Sequence, residues 1–183
     1  MKFRQTPYVI IGSGIAGLYT AIKLSEKTDR EILIITKSGL RESNSRYAQG
    51  GIVGILPENI EDSVELHVQD TLKAGSGLTD PDVARFISER SAVAVADLIS
   101  YGVNFDKSPE KKVELTLEGA HSVRRILHAG GDATGRSIEL ALCSVVEKDP
   151  KILIYRQTQA VDLLIDSDNT CKGVIVLDKT TGE

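Results

Sequence analysis

The sequence predicts an α/β fold in which a parallel β-sheet is flanked by helices and followed by a β-hairpin. Two apolar runs, Tyr8–Ile11 and Ile32–Ile35, have the pattern of buried strands, and helical spacing of apolar residues begins between them at Ile15. Strand, helix and strand in this order form a βαβ unit, whose right-handed crossover makes the strands parallel neighbours. A Gly12-x-Gly14-x-x-Gly17 turn joins the first strand to the helix, as in Rossmann-like folds.

The composition is that of one folded domain and argues against several function classes. The chain has 183 residues, of which 41% are hydrophobic and 26% charged, and its net charge is −4. This charge argues against a nucleic-acid partner, and no apolar run reaches the length of a membrane span. Residues 1–7 lack the apolar core of a secretory signal. Cys143 and Cys171 have no metal-type spacing, so we expect two reduced thiols, no metal and a cytoplasmic location.

The glycine turn carries the first candidate site. Gly12 permits the tight turn, Gly14 allows a pyrophosphate to approach the backbone, and Gly17 lets the helix pack against the strand. The N–H groups and positive end of the helix then face the phosphates. The alternative is a strand-to-helix turn that binds nothing. The candidate cofactor-binding residues here are Gly12, Ser13, Gly14, Ile15, Ala16 and Gly17.

The second strand ends without the carboxylate that usually holds the ribose of a dinucleotide. Thr36, Lys37 and Ser38 follow the strand instead. This weakens a plain NAD interpretation. Lys37 either meets a phosphate or the adenosine edge of a cofactor, or is a solvated lysine at a strand end.

A polar, glycine-containing segment at residues 43–52 carries the second candidate site. Small hydroxyl and amide side chains beside a glycine pair can present several backbone N–H groups to one anion. On composition alone the segment could equally be a surface loop. The candidate residues are Asn44, Ser45, Arg46, Tyr47, Ala48, Gln49, Gly50 and Gly51.

Two helices in the middle of the chain are predicted to be scaffold. The first covers residues 61–74, with Asp62 and Glu65 as a capping box and His67 as a packed or surface side chain. The second begins at Pro81 after an Asp80 N-cap and ends at Gly102. Its predicted apolar face consists of Val83, Ile87, Arg90, Ala94 and Leu98.

The remaining elements complete the α/β pattern. We expect a short strand at 113–117, a helix at about 135–148 and a parallel strand at 152–155. The predicted inward side chains of that helix are Ile138, Ala141, Leu142 and Val145. Two strands, 160–165 and 173–177, form a hairpin around a polar turn at 166–170.

Residues 118–128 break the usual pattern of a surface segment. One acid, two histidines and two arginines are mixed with apolar side chains. The segment is either a solvated hairpin or part of a site. The roles of His121, Arg124, Arg125 and His128 cannot be separated from structural hydrogen bonding at this level.

Four motifs together resemble one flavoprotein family. They are GSGIAG at 12–17, SNSRYAQGGI at 43–52, EGAHSVRRILH at 118–128 and DATGR at 132–136. The combination is similar to the family of succinate dehydrogenase, fumarate reductase and L-aspartate oxidase, and most similar to its oxidase branch. Lys37 in place of the ribose acid also resembles that branch.

The resemblance implies FAD as the cofactor and assigns residues to it. Residues 44–51 would wrap the flavin and pyrophosphate, and the backbone near Gln159 and Ala160 would touch the adenine end. Asn44 stands where covalent family members carry a flavin-linked histidine, so the resemblance implies non-covalent FAD. Glu118 matches the acid placed near the amino group of the substrate aspartate.

The implied activity is oxidation of L-aspartate to iminoaspartate, with flavin reoxidation by oxygen or fumarate. The product would feed quinolinate and NAD biosynthesis, and quinolinate synthase is an expected partner. Two alternatives stay open: a fumarate reductase or succinate dehydrogenase flavoprotein subunit, and a nucleotide-binding module without chemistry of its own.

The resemblance also implies that residues 1–183 are a partial FAD-binding domain from the N-terminal part of a longer flavoenzyme. The capping domain and the catalytic residues are expected beyond Glu183. On that basis we expect this chain alone to be inactive.

Overall fold

The computed structural model describes residues 3–183 and divides them into two compact units. The first unit comprises residues 3–47 and 139–183, and the second comprises Ala48–Ile138. In chain order the elements are β1 (Tyr8–Ile11), α1 (Ile15–Ser25), β2 (Ile32–Ile35), β3 (Ile52–Val53), α2 (Val64–Ala74), α3 (Pro81–Ser100), β4 (Ile126–Leu127), α4 (Thr134–Lys148), β5 (Ile152–Tyr155), β6 (Thr158–Ile165) and β7 (Cys171–Asp178).

The first unit contains the predicted parallel sheet. Its strand order is β1-β2-β5, and both pairs are parallel, with Ile10 opposite Ile34 and Ile34 opposite Ile154. Helix α1 buries Leu18 and Ile22. The α/β fold class and the βαβ unit predicted from the sequence are therefore confirmed.

Burial differs between the two apolar runs that predicted this sheet. Every residue of β2 is buried, because the strand lies between β1 and β5. In β1, Val9 is 39% exposed and Ile11 52% exposed. The prediction of a buried strand is therefore correct for β2 and wrong for β1, where Tyr8 and Ile10 are only partly buried.

The predicted hairpin also belongs to the first unit and is longer than expected. Strands β6 and β7 are antiparallel and have eight residues each. The turn between them is closed by the Asp166 carboxylate, which accepts hydrogen bonds from the N–H groups of Asp168 and Thr170 at 2.9 Å. Both Cys143 and Cys171 are free thiols, as expected.

The helix caps of the second unit separate a correct prediction from a wrong one. Helix α3 has the predicted Asp80 N-cap, whose carboxylate accepts from the N–H groups of Asp82 and Val83. The Asp62 capping box is wrong, because α2 begins after Ser63, whose hydroxyl accepts from Leu66 N–H at 3.1 Å.

The apolar face predicted for α3 is wrong at Val83, Ile87 and Arg90, which are exposed, while Ala94 is partly buried and Leu98 is buried. Val83 and Ile87 are 56% and 50% exposed, whereas Ala84, Ser88, Val95 and Leu98 are buried. The buried face carries smaller side chains because α3 packs closely on α2. Ser88 lies there in a hydrogen bond of 2.8 Å with the packed ring of His67.

Two further predictions need correction. No strand forms at 113–117, where isolated bridges join Val113 to Lys107 and Thr116 to Ile126. Helix α4 buries Ile138 and Leu142 as predicted, while Ala141 and Val145 are only partly buried. Five other residues of α4 are buried as well, namely Thr134, Gly135, Glu139, Cys143 and Val146. Within residues 3–183, no helix is long and apolar enough to cross a membrane.

Candidate functional site

The glycine turn has the geometry that the fingerprint requires. Gly12 has φ +105°, and its N–H donates to the Ile35 carbonyl at 2.8 Å, which closes β1 onto β2. A Cβ on Gly17 would clash with the carbonyl oxygen of Gly12 and lie 3.1 Å from its carbonyl carbon. Ser13 is buried in a hydrogen bond of 3.0 Å with Thr36. Glycine is therefore required at positions 12 and 17 to bring α1 against the end of β1.

The N terminus of α1 lacks the side-chain cap found on α2 and α3. Its N-cap is Gly14 in extended backbone, with no side-chain cap hydrogen bond and no acid in the first turn. By contrast, Ser63 and Asp80 cap α2 and α3. An uncapped helix N terminus next to a glycine turn presents N–H donors and a positive potential to an anion. This end of α1 therefore fits the pyrophosphate of a dinucleotide.

The turn Asn44–Tyr47 lies against that helix end. Ser45 Oγ accepts from the N–H of Ile15, the first residue of α1, at 3.2 Å. A Cβ built on Gly14 would lie only 3.2 Å from the same oxygen. The structure thus brings together two candidate segments that are about 30 residues apart in the sequence.

Several candidate cofactor-binding residues of the first unit are exposed. Asn44, Lys37 and Gln159 are exposed, and Tyr47 is 64% exposed and donates to Glu42 at 2.7 Å. Strand β6 begins beside the end of β2, where Thr158 N–H donates to the Thr36 carbonyl at 2.9 Å. Gln159 and Ala160 follow directly.

Glu139 is a candidate that sequence reasoning missed. It lies on α4 with 0% exposure, and its Oε2 accepts from the Ser43 hydroxyl. Burial raises the pKa of this carboxyl, although Ser43 and Arg46 act in the opposite direction. Its spacing of four residues from Cys143 is the sequence signal that could have placed it on the inner face.

In the second unit, the glycine pair at 50–51 allows the chain to pass close to β4. Gly50 has φ +83°. A Cβ on Gly51 would lie 2.5 Å from the Leu127 carbonyl oxygen and 3.1 Å from His128 Nε2. Any larger residue at 51 would displace β4 or the His128 ring. Ala48 and Gln49 precede this approach and are exposed.

The Glu118 carboxylate contacts a histidine side chain in the second unit. Its Oε1 lies 2.8 Å from His128 Nε2, which also lies 3.1 Å from Thr116 Oγ1. The Glu118 side chain is 45% exposed. Its carboxylate is therefore oriented by a histidine while it stays open to solvent.

A cavity of about 150 Å³ adjoins this pair. It is lined by Asp106, Glu114, Thr116, His128 and Gly131. Hydrogen bonds from the N–H groups of Gly130 and Gly131, at 2.9 and 3.1 Å, hold the pKa of the Asp106 carboxyl below its usual value. Asp106 therefore stays ionised and fixes the backbone just after His128.

Arg125 is held by buried ion pairs with two aspartates. Its guanidinium is fully buried, donates twice to Asp62 at 2.7 and 3.0 Å, and donates to Asp70 at 2.6 Å. Burial alone would raise the pKa of Asp70, but hydrogen bonds from Ser122 and Arg125 lower it to about 2. His121 Nδ1 lies 3.3 Å from the same guanidinium. Arg125 therefore anchors the 118–128 segment to Asp62, just before α2, and to Asp70 within α2.

Arg124 differs from its neighbour. Its side chain is exposed, and its carbonyl oxygen accepts from the Asn59 amide at 2.8 Å. Among the four residues whose roles the sequence left open, His128 is the one whose side chain contacts the Glu118 carboxylate. The structure thus separates the buried Arg125 and its neighbour His121 from the more exposed pair of Glu118 and His128.

Comparison with known proteins identifies a matching family model. The model described as FAD binding domain matches residues 8–183. The chain is 39% identical over 183 residues to L-aspartate oxidase 2-b, chloroplastic, of Nicotiana tabacum, covering 98% of this chain and 28% of the relative. It is 43% identical over 158 residues to L-aspartate oxidase of Mesorhizobium japonicum, covering 86% and 30% respectively. The chain thus spans less than a third of the length of these relatives.

Solved structures give the same fold. An Sdh1 complex of Mycobacterium smegmatis in the apo form aligns with a TM-score of 0.86 and 26% identity, covering 94% of this chain and 31% of that one. A quinol fumarate reductase of E. coli aligns with a TM-score of 0.91 and 24% identity, covering 97% and 30%. At this identity the second comparison supports the fold alone.

Proposed function

Because this chain belongs to the FAD binding domain family, we propose that it forms the flavin-binding part of an enzyme that oxidises L-aspartate to iminoaspartate. The predicted resemblance and the predicted cofactor, FAD, are both confirmed by the family match. One observation carries the choice of substrate: the relatives named L-aspartate oxidase are 38–45% identical to the chain. The Sdh1 and quinol fumarate reductase structures are 26% and 24% identical, respectively.

The residues of the first unit fit FAD. The uncapped N terminus of α1, which begins with Gly14, suits the pyrophosphate, and the Asn44–Tyr47 turn lies against it. We assign Gln159 and Ala160 to the adenine end and Lys37 to the phosphate or adenosine edge. Asn44 has an exposed amide, which cannot form the covalent link that a histidine makes, so FAD is held non-covalently.

The chemistry divides between the cofactor and the chain. When bound, FAD supplies the acceptor for the hydride from the α-carbon of the substrate. Glu118 binds the α-ammonium of L-aspartate through its exposed carboxylate, which His128 orients at 2.8 Å. A carboxylate at this position also disfavours dicarboxylates that lack an ammonium group. Arg125 holds the segment that presents Glu118.

The finer points of the activity extend this proposal. Oxygen or fumarate reoxidises the flavin, and iminoaspartate passes to quinolinate synthesis, with quinolinate synthase as partner. The proton-transfer groups and the capping domain belong to a longer protein that contains this chain, in keeping with its coverage of 28% of the first relative. Two free thiols favour a reducing compartment such as the cytoplasm.

Fumarate reductase is the second candidate, because a flavocytochrome c3 fumarate reductase aligns with a TM-score of 0.85 and 25% identity. A substrate comparison distinguishes the two. The longer protein that contains this chain, loaded with FAD, is assayed for hydrogen peroxide with L-aspartate and for dye reduction with succinate. We expect turnover of L-aspartate and none of succinate. Succinate oxidation without aspartate oxidation would contradict the proposal and support the second candidate.

A further inference from the structure

One face of α4 holds the segment of the first unit that leads into the Asn44–Tyr47 turn. Glu139, Cys143 and Glu147 are spaced four residues apart, so they lie along one side of the helix. Their partners in the segment are, in the same order, the Ser43 hydroxyl, the Leu40 carbonyl oxygen and the Arg41 guanidinium. Residues 40–43 are therefore attached to α4 at three successive turns of the helix.

Glu139 differs from the other members of this row. Its residue is 0% exposed, whereas the Glu147 side chain is 31% exposed and forms an ordinary surface ion pair. Oε1 of Glu139 has no hydrogen-bond partner among the described residues. A buried acceptor without a partner is costly, and an apolar side chain of similar volume would avoid that cost. The bond between Oε2 and Ser43 is the feature of this carboxyl that an apolar side chain could not supply.

The position of Ser43 affects the candidate FAD site directly. The Ser43 carbonyl accepts from Arg46 N–H at 3.2 Å, which closes the turn. Within that turn, Ser45 Oγ accepts a hydrogen bond from the N–H of Ile15 at the start of α1. Glu139 is therefore connected, through the hydrogen-bonded turn at residues 43–46, to the helix end that faces the pyrophosphate.

We propose that Glu139 is a positioning residue of the FAD site, which holds Ser43 so that the turn places Ser45 against the N terminus of α1. Glu139 acts without touching the ligand, because its side chain is fully buried. The inference rests on the proposed function for the identity of that ligand, FAD. This role requires only that residue 139 accept a hydrogen bond from the Ser43 hydroxyl, and the amide oxygen of glutamine can do so too.

The test is the FAD dissociation constant of the apoprotein of the longer protein that contains this chain, measured by quenching of flavin fluorescence. Glu139→Leu removes the acceptor and should weaken FAD binding by about tenfold or more, as expected for loss of a hydrogen bond to a charged or polar buried group. Glu139→Gln keeps the acceptor and should stay within about threefold of wild type. Glu147→Leu, on the same helix face, is the matched control and should also stay within about threefold.

The Ser43→Ala variant keeps the test decisive if Glu139→Leu does not fold. It should weaken FAD binding to a similar extent, and the Glu139→Leu/Ser43→Ala double variant should be no weaker than either single variant. Wild-type affinity in folded Glu139→Leu or in Ser43→Ala would overturn the inference, as would equal losses in Glu139→Gln and Glu139→Leu. Gly14→Val serves as reference: if it also binds FAD normally, the proposed FAD site itself is wrong.

Discussion

Replacement of Glu118 by glutamine should impair the enzyme on L-aspartate and leave its action on fumarate largely unchanged. The substitution preserves the shape of the side chain and removes its charge. The substrate ammonium then loses a charge-assisted hydrogen bond, which is worth about 1.5–3 kcal/mol. Fumarate has no ammonium group, so its turnover should be affected much less.

The structure places the expected loss at the lower end of that range. The Glu118 side chain is 45% exposed, and its carboxylate is shared with His128 at 2.8 Å. Solvent screening and a competing partner both reduce what the substrate gains from the carboxylate. Since about 1.4 kcal/mol corresponds to a factor of ten, we expect kcat/KM for L-aspartate to fall about tenfold.

The assay compares two substrates in two variants. The proposed enzyme that includes this chain is loaded with FAD, and kcat/KM is measured for aspartate oxidation and for fumarate reduction. Glu114→Gln is the matched control, because Glu114 lines the cavity beside His128 but does not pair with it. Equal losses on both substrates in Glu118→Gln, or the same loss on aspartate in Glu114→Gln, would refute substrate recognition by Glu118.

Four further predictions follow from the same contacts. Gly14→Val should abolish flavin retention in a folded protein, because a Cβ there already lies 3.2 Å from Ser45 Oγ, and visible absorbance after gel filtration measures it. Acid denaturation of the holoprotein should release all flavin, since Asn44 cannot form a covalent link; fluorescence left on the polypeptide would contradict this. Burial raises the pKa of the Glu139 carboxyl, so the free energy of unfolding of the wild type should fall as the pH rises from about 4.5 through that raised pKa. In urea unfolding, the stability of Glu139→Gln relative to wild type should increase across the same pH range. A stability difference that does not change with pH would disprove this prediction. Arg125→Met should lower the free energy of unfolding by about 3–5 kcal/mol, because it leaves the buried Asp62 carboxylate without its ion-pair partner. Replacement of the exposed neighbour, Arg124→Met, should lower it by about 0.5 kcal/mol or less. Equal urea midpoints for the two variants would show that the buried ion pair does not stabilise the fold.

Local sequence patterns determined the framework of this protein. The Gly12-x-Gly14-x-x-Gly17 turn, the βαβ unit around it and the Asp80 cap of α3 depend on residues within a few positions of one another. Backbone conformation at a glycine, capping and strand periodicity are short-range effects, so a sequence pattern is sufficient to predict them. The flavoprotein resemblance rested on such short motifs as well, and the family match confirmed it.

Only the tertiary structure determined which distant residues pair with a given side chain. Asp62 reads as a helix cap, but it pairs with Arg125, 63 residues later, and leaves Ser63 to cap α2. Packing against α2 decides which face of α3 is buried, and Glu139 gains its role from Ser43, 96 residues earlier. These outcomes depend on the free energy of buried ion pairs and hydrogen bonds, which exists only once the chain has brought the partners together.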